Sequence, residues 1–240
     1  MAYAQATDND QQQPPRQTGE RREAGMDGIA EQNWGAYWPA LLCLAAGAGL
    51  TAAEVNGWRR AQWLLKPAAS GLFVVQALLL GAAGSGYGLL ILLALGLCLI
   101  GDVLLIPRGN DALFKAGIGA FLAGHLAFIA AFLAVPLPGG SFLTGAVVML
   151  ALTGPYLFYI WPQLVSDFRI PVGAYTLVIA VMIVTAFGSG RWWQVPLAAV
   201  MFAGSDMLVG RDRFVREERW HALVITPLYY GAQVLFATSV

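Results

Sequence analysis

Charge is scarce in this sequence. Only 12% of the 240 residues are charged against 58% hydrophobic, and a mean hydropathy of +0.63 lies far above what a soluble domain of this size sustains, so the chain belongs to the membrane class. Nor is there an excess of either sign. Fourteen Lys and Arg balance fourteen Asp and Glu, which removes the cationic surplus that binding a nucleic-acid backbone requires. Cysteine is nearly absent: Cys43 and Cys98 each stand inside an apolar run and read as small core residues, too few for a structural zinc site and without a disulfide role. Histidine is as rare, with His125 and His221 alone, so a metal centre built from several imidazoles is hard to assemble, and neither metal nor cofactor is expected.

What the chain has instead is apolar length. Residues 1–33, rich in Gln, Asp, Arg, Glu and Gly around Pro14-Pro15, have the composition of a disordered polar tail and lack the basic-then-apolar order of a secretory signal. Residues 34–240 read as a single transmembrane helical domain of eight apolar runs, at about 34–53, 67–81, 88–106, 112–135, 142–160, 171–187, 192–209 and 220–238. Each run is close to the ~20 residues that a helix needs to span hydrocarbon. Pro67 reads as a first-turn position of the second run, and Pro171 opens the sixth. Backbone groups in hydrocarbon must be satisfied within their own segment, so the fold class is all-α, a polytopic transmembrane helix bundle. Arg59, Arg60 and Lys66 follow the first run, Arg108 and Lys115 the third, Arg169 the fifth, and Arg211, Arg213, Arg216 and Arg219 the seventh, whereas the even loops hold only Arg191. By the positive-inside rule the odd loops face the cytoplasm and both termini lie outside; the expected location is a bacterial-type inner membrane.

A shift of 104 positions brings Pro67 onto Pro171, Gly84 onto Gly188, Gly86 onto Gly190, Asp102 onto Asp206 and Lys115 onto Arg219 without a gap. Glycine is common here, so the weight rests on the proline and the aspartate sharing one offset. The expectation is two four-helix halves of the same orientation, related by an axis along the membrane normal, with chance as the competing explanation.

Asp102 and Asp206 stand about one turn inside the ends of the third and seventh runs, both on the odd-loop side. A carboxylate within a span costs roughly 2.5–3.5 kcal/mol and is seldom kept without a pairing or functional reason. Pairing would turn Asp102 toward Arg108 and Asp206 toward Arg211 or Arg213; function would make the two an acid and a base. His125 lies mid-run, with Phe121 one turn earlier and Gly117 and Gly124 as a packing surface, and it either bonds a neighbouring helix or handles protons. Thr226, Tyr229 or Tyr230, and Gln233 share one face of the last run, as a cavity wall or as polar glue between helices. Lys66 lies on the same side as both aspartates, to meet an anionic headgroup, to pair with a carboxylate, or simply to snorkel. Tyr156, Tyr159 and Tyr175 gather there too, so one half of the bundle is polar and the other apolar, a layout that suits an amphiphile.

These residues fall into ordered motifs. Leu-Leu-Lys66-Pro67, Gly101-Asp102-Val-Leu-Leu followed by Phe114 and by Phe121-Leu-Ala-Gly-His125, Pro171-Val-Gly-Ala-Tyr175, Ser205-Asp206-Met-Leu with Phe214, and Tyr229-Tyr230-Gly-Ala-Gln233 together resemble the lysoplasmalogenase family of eight-helix membrane proteins, also called the YhhN-like family. The resemblance covers most of the chain after the polar tail, which it does not explain. It implies a lysophospholipid substrate within membrane lipid, and hydrolysis of the vinyl-ether bond of a lysoplasmalogen to a fatty aldehyde and glycerophosphocholine or glycerophosphoethanolamine. A vinyl ether is hydrolysed by protonation of its outer carbon, giving an oxocarbenium-like cation that water captures, so the site needs an acid and a negative stabiliser. Asp102 and Asp206, meeting across the bundle, are the expected catalytic pair, because two carboxylates close together in low dielectric resist ionising together. His125 is expected to orient water or shuttle the proton, and Lys66, Ser205, Tyr175, Tyr229 and Gln233 to bind substrate. No serine elbow stands near either histidine, and the reaction needs no acyl-enzyme. Two other classes stay open. A transporter or channel also places acids and a histidine between helices, and a lipid-sensing or scaffold protein uses such groups only to hold its helices together. Protein partners are not legible in the sequence.

Overall fold

The structure, a computed structural model, describes residues 34–107, 109–134, 139–191 and 193–240; the expected polar tail, Arg108 and the turn at 136–138 lie outside the described residues. Among the described residues the long elements are eight α-helices: α1 (Trp38–Asn56), α2 (Arg59–Leu79), α3 (Gly86–Leu104), α4 (Asp111–Leu133), α5 (Phe142–Ile160), α6 (Ser166–Gly188), α7 (Gln194–Phe214) and α8 (Ala222–Ala237). Residues Ala36–Val240 form one compact unit. Polar caps set several helix starts by satisfying orphan N–H groups. The Ser85 hydroxyl accepts from the Gly88 N–H at 2.9 Å ahead of α3, the Asn110 side chain from Leu113 at 3.1 Å ahead of α4, and Ser141 from Thr144 at 3.1 Å ahead of α5. Gly57, at φ +72°, ends α1 in the left-handed conformation and lets α2 fold straight back along it.

The all-helical bundle is as expected, but two helix starts are not. Pro67 and Pro171 lie inside α2 and α6, which begin at Arg59 and Ser166. Each helix runs past its apolar stretch into a polar first turn, and the carbonyls that the prolines leave unbonded belong to Trp63 and Asp167, both exposed residues. Five helices, α1, α3, α4, α5 and α6, are long and apolar enough to cross a membrane by themselves. The other three have a physical reason to fall short. Charged residues stand in the opening turns of α2 and the closing turns of α7. α8 has 16 residues and packs against α1, α2, α3 and α7, so its polar stripe faces protein rather than lipid.

Small residues bring α3 and α4 together. A Cβ on Gly101 would stand 2.7 Å from the Phe121 ring, one on Gly117 2.7 Å from the Leu105 side chain, and one on Gly124 3.0 Å from the Cys98 sulfur. On the outside, Leu64, Leu143, Phe158 and Ile170 are among many large apolar side chains left exposed, an outer surface built for acyl chains. The molecule is a multi-pass integral membrane protein.

Candidate active site

One end of the bundle is hollow. A cavity of about 790 Å³ is lined by residues from all eight helices. Leu50, Ile118, Leu122 and Ile179 make apolar wall; Glu54, Lys66, Asp102, Tyr175, Asp206 and Tyr229 make polar wall; Lys115, Asp167 and Arg213 carry charge at the same end. The cavity is large enough for a small amphiphile, and its mixed lining suits one.

Asp102 is almost wholly buried, at 2% exposure. Its Oδ2 accepts the Ser70 hydroxyl at 2.6 Å and the Tyr229 hydroxyl at 2.7 Å, and Lys66 Nζ lies 3.7 Å from its Oδ1. Lys66 and Ser70 are one turn apart on α2, which puts both on the face turned to α3. Tyr230 extends this network, with its hydroxyl 3.3 Å from that of Ser70. The cation that serves Asp102 among the described residues is therefore Lys66.

Asp206 is held differently. Its Oδ2 accepts the Tyr175 hydroxyl at 2.8 Å, and His125 Nε2 stands 3.3 Å from the same oxygen, within ion-pair distance but off hydrogen-bond geometry. His125 is fully buried, and its Nδ1 lies 2.7 Å from the Phe121 carbonyl. A carbonyl only accepts, so the proton belongs on Nδ1, and Nε2 is the nitrogen that faces Asp206. The alternative in which Asp206 pairs with Arg211 or Arg213 is not the one that forms: Arg211 is taken by Glu218 and His221, and Arg213 by Asp111 and the Phe114 ring. These outer acids compete from loops and helix ends, where long side chains reach them more easily than a carboxylate inside the bundle.

The two catalytic candidates share the cavity without bonding each other among the described residues. Phe202 stands between their supports, its ring 4.4 Å from His125 and 5.5 Å from Tyr229. Tyr175 and Tyr229 line the cavity through their bonds to the carboxylates. Ser205 lines it as well, but its hydroxyl donates to the Phe202 carbonyl at 3.0 Å and is spent within its own helix. Gln233 lies one turn deeper than Tyr229, fully buried beside Cys98, and is absent from the cavity wall. It therefore does not stand where a substrate-binding residue is expected. His221 is buried in a separate cluster with Asp212, Glu218 and Arg211. Two site residues escape sequence reasoning. Ser70 was findable one turn from Lys66; Glu54, whose Oε2 accepts the Thr226 hydroxyl at 2.6 Å, falls where the first apolar run ends and reads there as a boundary charge.

Fold and site together define a helical membrane protein with an acid-lined cavity of amphiphile size. The chain belongs to the YhhN family, which matches residues 61–240. It is similar to the lysoplasmalogenase TMEM86B of Homo sapiens, 34% identical over 157 residues, 64% of either chain. It is likewise similar to a lysoplasmalogenase of Mycobacterium bovis, 34% identical over 154 residues, which are 61% of this chain and 58% of the relative. The lysoplasmalogenase TMEM86A of Bos taurus is 28% identical over 149 residues, 58% of this chain and 60% of the relative. The chain thus spans less than two thirds of the length of these relatives. No solved structure matches it.

Proposed function

We propose that this protein is a membrane hydrolase that cleaves the vinyl-ether bond of a lysoplasmalogen. The observation that carries the reading is one amphiphile-sized cavity in which two of the lining carboxylates, Asp102 and Asp206, have unlike partners. The names of the related lysoplasmalogenases support the reaction class.

The unlike partners divide the chemistry. Asp102 takes two hydroxyl donors and faces an ammonium, partners placed to hold a carboxylate beside the cation that forms, against the cost of its burial. Asp206 has one hydroxyl donor, and the free nitrogen of His125 stands beside the same oxygen, so Asp206 takes the role of the acid and His125 that of the group that resupplies its proton. In the forward reaction that proton goes to the outer vinyl carbon, the π pair forming the new C–H bond while the ether oxygen donates a lone pair to the inner carbon. The Asp102 carboxylate stabilises the resulting oxocarbenium ion. Water adds to the inner carbon and gives one proton back to Asp206; the hemiacetal hydroxyl then loses its proton as its C=O bond forms, while the C–O bond to glycerol breaks and the glycerol oxygen takes up a proton to leave as an alcohol. The products are an aldehyde and a glycerophospho-base, and the proton count closes. Tyr175 and Tyr229 act as positioning residues that aim the carboxylates, Lys66 meets the phosphate, and the apolar wall holds the alkenyl chain.

Purified protein in detergent, incubated with a lysoplasmalogen, should release fatty aldehyde and glycerophospho-base in equal amounts. Absence of aldehyde, with solute flux in liposomes reconstituted with the protein, would reject the hydrolase in favour of a transporter.

A further inference from the structure

Two acids that line the cavity have no part in the reaction, the exposed Asp167 and the half-buried Glu54, and Glu54 is the one a buried hydroxyl holds. It comes from the last turn of α1, three residues before Gly57 turns the chain into α2, and it lines the cavity together with Lys66 and Asp102. The Thr226 hydroxyl, buried at 5% exposure, donates to Oε2 at 2.6 Å and sets the direction of the carboxylate. Oε1 has no hydrogen bond from the protein among the described residues, and no lysine or arginine among them lies within ion-pair distance of Glu54. Lys66, the cation that lines the same cavity from the next helix, is directed at Asp102 instead.

A carboxylate drawn partly out of water, aimed by a buried hydroxyl and lacking a countercharge, is a receptor for a cation. The complementary half lies on the adjacent helix: Lys66 keeps 21% exposure beside Asp102 and can bond a phosphate oxygen as well. An acid on α1 and a base on α2, lining one cavity, match a zwitterion whose phosphate and amine are joined by a short link. We infer that Glu54 is the amine-recognising residue of a headgroup subsite, binding the primary ammonium of a phosphoethanolamine lysolipid while Lys66 binds its phosphate. A primary ammonium carries N–H donors for the open Oε1, which a quaternary one lacks. Headgroups without an amine, such as phosphoglycerol, leave Glu54 uncompensated and bind less well. The inference rests on the hydrolase reading for its substrate but not for its geometry.

The test uses the full chain in detergent and saturated 1-O-alkyl lysolipids, which have no vinyl bond to cleave, carrying either a phosphoethanolamine or a phosphoglycerol headgroup. The wild type should bind the phosphoethanolamine lipid about tenfold more tightly, the size of one charge-assisted contact. Glu54→Gln keeps an acceptor for Thr226 and removes only the charge, and it should erase that preference. A preference retained in Glu54→Gln overturns the subsite. Should that variant not fold, the wild type decides alone, since equal affinity for the two lipids overturns it as well. Aldehyde release is measured separately: headgroup preference without any release from a lysoplasmalogen refutes the hydrolase and leaves the subsite standing.

Discussion

Tyr229 donates to Asp102 at 2.7 Å from the helix that closes the second half of the chain. Its counterpart 104 positions earlier is His125, and His125 faces Asp206, which stands 104 positions after Asp102. Each carboxylate is thus supported by the last helix of the other half, α8 for Asp102 and α4 for Asp206. The two supports differ in kind. A tyrosine hydroxyl gives a fixed hydrogen bond, whereas an imidazole can hold or release a proton. In the proposed mechanism, matching positions with unlike supports separate the stabilising carboxylate from the proton-delivering one.

Asp102→Asn and Asp206→Asn should each remove nearly all kcat for aldehyde release while the protein stays folded. The double variant should be little worse than either single one, because residues that act as a unit are not additive. Substantial release by both single variants would reduce the carboxylates to structural roles.

Lys66→Met leaves Asp102 buried without its cation, 3.7 Å away in the wild type. Breaking a fully buried pair costs about 3–5 kcal/mol, and less here because Lys66 is partly exposed. The variant should melt at lower temperature, with KM raised through the lost phosphate contact and kcat lowered through Asp102. A double-mutant cycle with Asp102→Asn should give a coupling of about 1–2 kcal/mol. A raised KM with kcat and stability intact would show that Lys66 acts on the phosphate alone.

The loops should alternate between the two faces of the membrane. Lys115 and Arg213 stand at the cavity end. The other end gathers Ser141, whose N–H bonds the Phe187 carbonyl at 3.0 Å, and Arg191, which lies 3.6 Å over the Tyr87 ring and donates to the Ser239 carbonyl at 2.9 Å. Cys43 and Cys98 are fully buried and silent to reagents. Single cysteines at 115 and 213 should therefore be labelled from one side, and those at 141 and 193 from the other; labelling of 115 and 141 from the same side would break the assigned topology.

Glu218, in the loop between α7 and α8, offers a pH test outside the spans. Burial pushes its carboxyl up, but the Trp220 indole N–H, Arg216 and Arg211 outweigh this and hold it below the usual carboxylate range. A group with a depressed folded-state value adds stability above its unfolded value and loses it as pH falls through the folded one. Glu218→Gln should lower Tm at neutral pH, and its gap from the wild type should close in acid. A gap of constant size across that range would assign the loss to packing.

The sequence by itself determined the fold class and most of the candidate site. Long apolar runs leave the backbone no option but the helix, and carboxylates inside such runs are costly enough to announce themselves; the 3.6-residue period already put Thr226, Tyr229 and Gln233 on one stripe. Only the tertiary structure decided which of these residues meet. That Asp206 is served by His125 and Tyr175 rather than by the nearer arginines depends on how α4 and α6 pack against α7, and no local rule encodes a contact between residues 81 positions apart. The same limit hid Glu54, a boundary charge along the chain that acquires its role when α8 brings Thr226 to it, and it misplaced Gln233, whose depth one turn below Tyr229 turns a position on the right face into one buried beneath the cavity. The prolines misled for a related reason. Pro67 and Pro171 carry the local signature of a helix start, yet each helix continues outward through a charged turn whose unbonded carbonyl can reach water.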